Sequence, residues 1–289
     1  MTYNVGGAKI DYYPKPHDIL DAIREQSPDI LAIQECVDWM DADGNEHYLS
    51  KTIAQVGNYG LNYSFGRTLS MKEHLQIKKA VMVEAIFDDL QGWAQGNAIF
   101  SRCGFTRLGD TNKPGFPRNI PIFLPPVYQG NRDTDPRYAL LARINLEPLY
   151  PFVVNVHLTT LMGERGKGES RIPGKRSEAQ ELRITQTRRL MELLRPAMEE
   201  NRIIVLLGDF NASVDEPSLS VVIEDEGGFT RLVPEIEKPT HINASSIIDH
   251  IYIYPQDCFG DYKCWIAENE ITYKASDHLP VVAEVDFFL

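Results

Sequence analysis

An apolar run that ends in an acid, an amide or an imidazole recurs from one end of this chain to the other. DILAIQE (29–35), GNAIFSR (96–102), RYALLARI (137–144), FVVNVHL (152–158), IIVLL (203–207), IIDHIYIY (247–254) and PVVAEV (280–285) read as short strands. Helical periodicity alternates with them. Residues 16–27 put Ile19, Leu20 and Ile23 on one face, with His17 or Asp18 placed to cap, and Pro28 stops the run. A longer helix is predicted over 177–195, opened by a capping box of Ser177 and Gln180. It carries Ala179, Leu182, Gln186, Leu190, Leu193 and Leu194 inward. No repeat or linker-like shift divides the 289 residues, so they read as one α/β domain, 1–289. Two polar, Gly/Pro-rich segments, 109–136 and 161–175, are expected to be long surface loops.

Composition bounds the function. The net charge is −12, which argues against a sequence-independent grip on long nucleic acid, since that rests on a broad basic face. It leaves a nuclease open, because metal ions and one basic loop can serve the phosphate. No apolar stretch approaches the length of a membrane span. Cys36, Cys103, Cys258 and Cys264 form no CxxC pair, and reduced thiols in a cytoplasm are the expectation. The opening MTYNVGG lacks the features of a signal peptide, although it already reads as strand, which is compatible with a preceding segment. Oligomeric state is left open.

The chemistry lies in what ends the strands. Asn155 and His157 are two apart in FVVNVHL and share a side, opposite Val154, Val156 and Leu158. In LLGDFNA, Asp209 and Asn211 follow an apolar run and again share a side. Asp249 sits among apolar residues, where a lone carboxylate is costly unless paired. SDHLPV sets Asp277 and His278 at a turn, LAIQE ends on Glu35, and YNV places Asn4 near the start of the first strand. Hard oxygen donors with few cysteines suit Mg²⁺ or Mn²⁺ rather than zinc. Histidine beside carboxylate suits proton handling near neutral pH. Together they point to metal-assisted hydrolysis of a phosphate ester.

Asn4, Gln34-Glu35, Asn155-x-His157, Gly208-Asp209-Phe210-Asn211, Asp249 and Ser276-Asp277-His278 resemble, in order, the motif series of the endonuclease/exonuclease/phosphatase family. GNAIFSR and the pair Arg183 and Gln186 are similar to its secondary signatures. The resemblance implies a deoxyribonuclease I-like fold: a four-layer α/β sandwich of two packed mixed sheets flanked by helices, with the site along one edge. It implies that Glu35 is the principal metal ligand, that Asn4 lies beside it, and that Asp277 is a ligand, directly or through water. It assigns Asp209 to positioning or deprotonating the attacking water and Asn211 to orienting it. His278, held by Asp249, sits on the scissile phosphate as acid, base or clamp. His157 stabilises the developing charge or protonates the leaving oxygen, with Asn155 in support on the substrate side.

Other residues read less sharply. Asn97 and Arg143 are equally placed for substrate or for fold support, His241 reads first as a loop histidine, and His250 points away from Asp249. In the second loop Arg165, Lys167, Arg171, Lys175 and Arg176 face Glu164 and Glu169, a local positive excess. Arg171, Lys175 and Arg176 are therefore expected to bind a distal phosphate. The leading function is a magnesium-dependent phosphodiesterase acting on nucleic-acid ends or on small nucleotidic or lipid diesters. A phosphomonoesterase for a small metabolite such as an inositol phosphate ranks second, and a non-catalytic binding module third.

Overall fold

The computed structural model describes residues 1–6, 16–40, 44–70, 91–127, 132–165 and 171–288. The first five strands are β1 (Thr2–Asn4), β2 (Ile30–Met40), β3 (Glu46–Tyr48), β4 (Tyr63–Ser70) and β5 (Gln91–Ser101). The middle eight are β6 (Phe105–Arg107), β7 (Asp110–Pro114), β8 (Arg118–Phe123), β9 (Arg137–Ile144), β10 (Phe152–His157), β11 (Ile204–Asp209), β12 (Thr230–Arg231) and β13 (Asp249–Tyr254). The last two are β14 (Phe259–Ile266) and β15 (Val281–Phe287). The first five and the last two form one sheet, in the order β14-β15-β1-β2-β5-β4 with β3 on β2. The middle eight form the other, β12-β13-β11-β10-β9-β6-β7 with β8 on β9. Both sheets are mixed. Each has a parallel pair near its centre, β1 with β2 and β10 with β11.

Alternation of side chains explains the layering. Ala32, Ile99, Leu140, Val153, Leu207 and Ile251 point between the sheets and fill the central core. Leu31, Ile33 and Phe100 point the other way, onto Ile19 and Ile23 of α1 (Pro16–Gln26) and Ile53 of α2 (Leu49–Val56). Val154, Val156 and Leu206 meet Leu190 and Leu194 of α3 (Lys175–Glu199) outside the second sheet. Two mixed sheets between outer helices are the four-layer sandwich expected. No helix among the described residues is long and apolar enough to cross a membrane.

Two local expectations fail. Helix α3 begins at Lys175 after Gly174, which takes φ +81° and offers no side-chain cap, so Ser177 and Gln180 form no capping box. Segment 109–136 is not an open loop throughout. It contains β7 and β8, whose β8 residues alternate poorly in hydrophobicity and pair with β9 by backbone hydrogen bonds.

Candidate active site

The central strands deliver their last residues to one edge of the sandwich. Register places His157 opposite Asp209 on the parallel neighbour and Asp209 opposite Asp249 on the antiparallel one. Gly208 makes this possible: it takes φ +153°, and a Cβ there would lie 2.0 Å from the Val156 carbonyl oxygen.

Two buried carboxylates side by side repel unless a cation divides them. His278 does so. Its Nδ1 lies 2.9 Å from Asp249 Oδ2 and its Nε2 3.7 Å from Asp209 Oδ2. Asp209 also accepts from Asn4 Nδ2 at 2.9 Å and from the Asn211 backbone N–H at 2.9 Å, and His157 Nε2 stands 3.5 Å away. Burial pushes the Asp209 carboxyl up, but His278, His157 and the Asn4 amide outweigh it and hold it at about 2. Burial disfavours the charged His278 ring, yet Asp249 and Asp209 raise it to about 9. Burial raises Asp249 despite His278. Burial, then the charge of Arg137, lowers His157 to about 4 against the pull of Asp209. Near neutrality the site therefore holds an Asp209 anion, a His278 cation and a neutral His157.

Glu35 reaches the edge by a backbone irregularity. It takes φ +54° where the register of β2 against β5 shifts between Ile33 and Cys36, and this bulge turns the half-buried carboxylate out of the alternation. Gln95 Nε2 and Asn4 Nδ2 touch its oxygens at 3.3 and 3.4 Å. Asn4 thus joins Glu35 to Asp209 through one nitrogen. Its oxygen accepts from the Gly6 N–H at 2.8 Å, which fixes the amide so that its nitrogen faces both carboxylates. Asn211 takes φ +52°, a conformation asparagine tolerates, and its side chain donates to the Leu158 carbonyl at 3.0 Å.

The 276–278 turn is tied to β1 by the Ser276 hydroxyl, which donates to the Asn4 carbonyl at 2.7 Å. Beside it lies His241, whose role the sequence obscured. Its Nε2 is 3.4 Å from Asp277 Oδ2, and its ring meets the His278 ring edge-on at 4.6 Å. Only the neighbouring Thr240 hints at its importance. That hydroxyl accepts the Ile248 and Asp249 N–H groups and so fixes the segment beside β13.

Other expected residues go elsewhere. Asn155 is fully buried, and its amide donates to the Ile33 and Ala98 carbonyls at 2.9 Å and accepts from Gln34 at 2.7 Å. It bolts the sheets together and leaves no atom for a substrate, which corrects the binding role expected. Arg143 spans the Leu108 and Tyr150 carbonyls over the Phe152 ring, a fold-supporting place. Lys175 turns to Glu178 and Asp133, at 2.9 and 3.4 Å, rather than to a cleft. Lys167 and Glu169 lie outside the described residues.

Two clefts flank the cluster. One, of about 290 Å³, opens between Glu35 and His157 and includes Asn97, Asp135 and Arg137. The other, of about 510 Å³, opens past Asn211 and is lined by Arg165, Arg171 and Arg176. The base of the second loop is locked beneath it. Buried Arg183 binds Glu216 at 2.6 and 2.8 Å and Glu164 at 2.7 Å, and donates to the Thr159 carbonyl. Gln186 closes on Thr159 from the next turn of α3.

Among the described residues, metal-ligating groups converge in threes at Asp209, Asp249 and His278 and at His241, Asp277 and His278. Glu35 belongs to neither group and connects to Asp209 through Asn4. The carboxylate oxygens of these groups and of Glu35, with no thiolate beside them, fit a hard divalent cation.

Residues 1–278 match the family model described as Endonuclease/Exonuclease/phosphatase family. No curated protein matches by sequence. Among solved structures, an endonuclease/exonuclease/phosphatase from Beutenbergia cavernae DSM 12333 is 18% identical at TM-score 0.68, with 99% of this chain and 70% of that one covered. The human Nocturnin catalytic domain with bound sulfate anion is 16% identical at TM-score 0.62, covering 99% and 93%. A mannosyl-6-phosphatase from Bacteroides thetaiotaomicron VPI-5482 is 15% identical at TM-score 0.56, covering 99% and 98%. At these identities the likeness establishes the fold.

Proposed function

This chain belongs to the endonuclease/exonuclease/phosphatase family, and from that membership we propose that it is a magnesium-dependent phosphoesterase that hydrolyses phosphodiester bonds by attack of water. The observation that carries the reading is the His278 ring standing between two buried carboxylates, with Asp209 also faced by His157 and Asn4. Asp209, held ionised, is the group free to accept a proton from water. His278, held protonated, has no lone pair for that task and instead neutralises charge on the scissile phosphate. His157, neutral, donates a hydrogen bond to the developing charge; the proton that Asp209 takes from water passes to solvent, and the leaving oxygen takes its own proton from solvent. Asn211, fixed by its contacts with Asp209 and Leu158, orients the water.

Glu35 and Asp277 would hold the cation, Mg²⁺ or Mn²⁺, which supplies Lewis-acid charge to a phosphate oxygen. The two clefts favour a diester, because they give each ester arm a side of its own. Bis-p-nitrophenyl phosphate and p-nitrophenyl phosphate, each assayed with Mg²⁺, Mn²⁺ and excess EDTA, test the reading. Metal-dependent turnover that favours the diester is expected. Preference for the monoester would make the protein a phosphomonoesterase, and silence with both metals would make it a binding module.

A further inference from the structure

The cleft past Asn211 has more positive charge than the hydrolysis of one phosphate needs. Arg165, Arg171 and Arg176 line it together with Asn211, Ser213 and Asn243. Its two carboxylates, Glu164 and Glu216, are already taken up by Arg183 behind them. Arg171 and Arg176 form no ion pair among the described residues, and the acid nearest in effect to Arg176 is the exposed Asp215. Guanidinium groups gathered around one cavity repel each other, so the arrangement is unfavourable until an anion divides them. In a chain of net charge −12 such a spot is also where an anion can be drawn in against the overall field.

The cleft is wired to the chemistry. Arg165 Nη2 donates to the Asn211 carbonyl at 2.7 Å, and the Asn211 N–H donates to Asp209 at 2.9 Å. An anion held by Arg165 therefore lies next to the residue that orients the water. Guanidinium forks match phosphate oxygens two at a time, and serine and asparagine add neutral donors. The charge is confined to a cavity rather than spread as a stripe, which suits a small ligand over a polymer.

We propose that this cleft is a subsite for a second phosphate group, so that the preferred substrate is a small phosphodiester bearing another phosphate on one arm. The inference rests on the phosphodiesterase reading and names the substrate class for the same site.

The test compares the 5′-(p-nitrophenyl phosphate) ester of thymidine with the same ester phosphorylated at the 3′ oxygen, at low salt with Mg²⁺ or Mn²⁺. The wild-type protein should favour the second ester by about tenfold in kcat/KM, mostly through KM, the scale of one charge-assisted contact. Arg171→Gln/Arg176→Gln should bring the ratio close to one, and Arg171→Lys/Arg176→Lys should restore part of it. A wild-type ratio near one, or a ratio unchanged by the glutamines, overturns the proposal. If neither ester is hydrolysed, the phosphodiesterase reading has failed and the subsite is judged by titration calorimetry with inorganic phosphate. Binding weakened about tenfold or more by the glutamines sustains it, and equal affinity in both proteins overturns it.

Discussion

Asn4 donates to Asp209 across the boundary between the two sheets at 2.9 Å, while the same nitrogen stands 3.4 Å from Glu35. One neutral amide thus holds apart the carboxylate proposed to bind metal and the carboxylate proposed to activate water. Its oxygen is in turn fixed by the Gly6 N–H, and Gly6 takes φ +63° with Asp277 against it. Three acids of the site are referred to a single residue of β1.

Asn4→Ala should therefore affect metal binding and turnover together. Without the donor, Glu35 and Asp209 repel through unscreened space and lose their orientation. The expected outcome is a 10- to 100-fold loss, roughly the range for removing a group that orients a metal ligand. It should appear both in kcat at saturating Mg²⁺ and in the Mg²⁺ concentration giving half-maximal rate. A variant with wild-type metal dependence would show that Asn4 serves the fold alone.

The pair His278 and Asp249 predicts a pH profile. If His278 serves as a cation, as proposed, its value of about 9 means that activity should stay flat through neutrality and fall as pH rises through that region. Asp209, held at about 2, places the acid limb far below it. Asp249→Asn removes the strongest charge favouring the protonated ring and should move the alkaline limb downward. His278→Ala should cost about two to four orders of magnitude in kcat, and adding Asp249→Asn should cost little more. Measured kcat profiles of the two single variants and the double variant decide it; multiplicative losses would mean that the residues act separately.

Much of this arrangement is legible in the sequence because period-2 alternation fixes facing. The alternation that puts Val154 and Val156 under α3 also puts Asn155 and His157 on the opposite side. What alternation does not give is depth. Asn155 and His157 face the same way, yet one is swallowed between the sheets and the other reaches the edge, a difference of two residues along the strand. Glu35 is harder still, since a bulge and a left-handed backbone turn its carboxylate, and neither leaves a periodic signal. His241 comes to His278 through a backbone bridge between segments 37 residues apart, which no local pattern reports. β7 and β8 escape notice because backbone pairing with β9, rather than an apolar face, makes them strands.

Arg183→Met should be among the most destabilising substitutions on α3. The guanidinium is 1% exposed and answers two carboxylates, so its removal leaves Glu164 and Glu216 buried and uncompensated. Breaking one side of a buried ion pair costs about 3–5 kcal/mol. The loss should be seen as a lower urea midpoint. Arg183→Met with Glu164→Gln and Glu216→Gln should recover much of it, because the amides carry no charge. A single variant within about 1 kcal/mol of wild type would show that water or neighbouring groups satisfy the acids.

His250 sets a limit on stability in acid. It is buried with Nε2 3.0 Å from the Ala212 carbonyl and its ring edge-on to Phe210. Burial is the main cause that lowers it to about 4, with the Ala212 hydrogen bond opposing. The folded protein therefore holds this ring neutral between about pH 6.5 and 4, while the unfolded chain takes up a proton there. The unfolded state binds more protons, so stability rises with pH across that window and falls as pH drops through it. The depressed value amounts to about 3 kcal/mol once pH lies below both values, an order-of-magnitude figure. His250→Gln keeps a donor for Ala212 and removes the titration. Its stability relative to wild type, from urea unfolding, should therefore improve steadily between pH 7 and 4.5, even if it starts lower at pH 7. A difference independent of pH over that range would show that His250 ionises alike in the folded and unfolded chains.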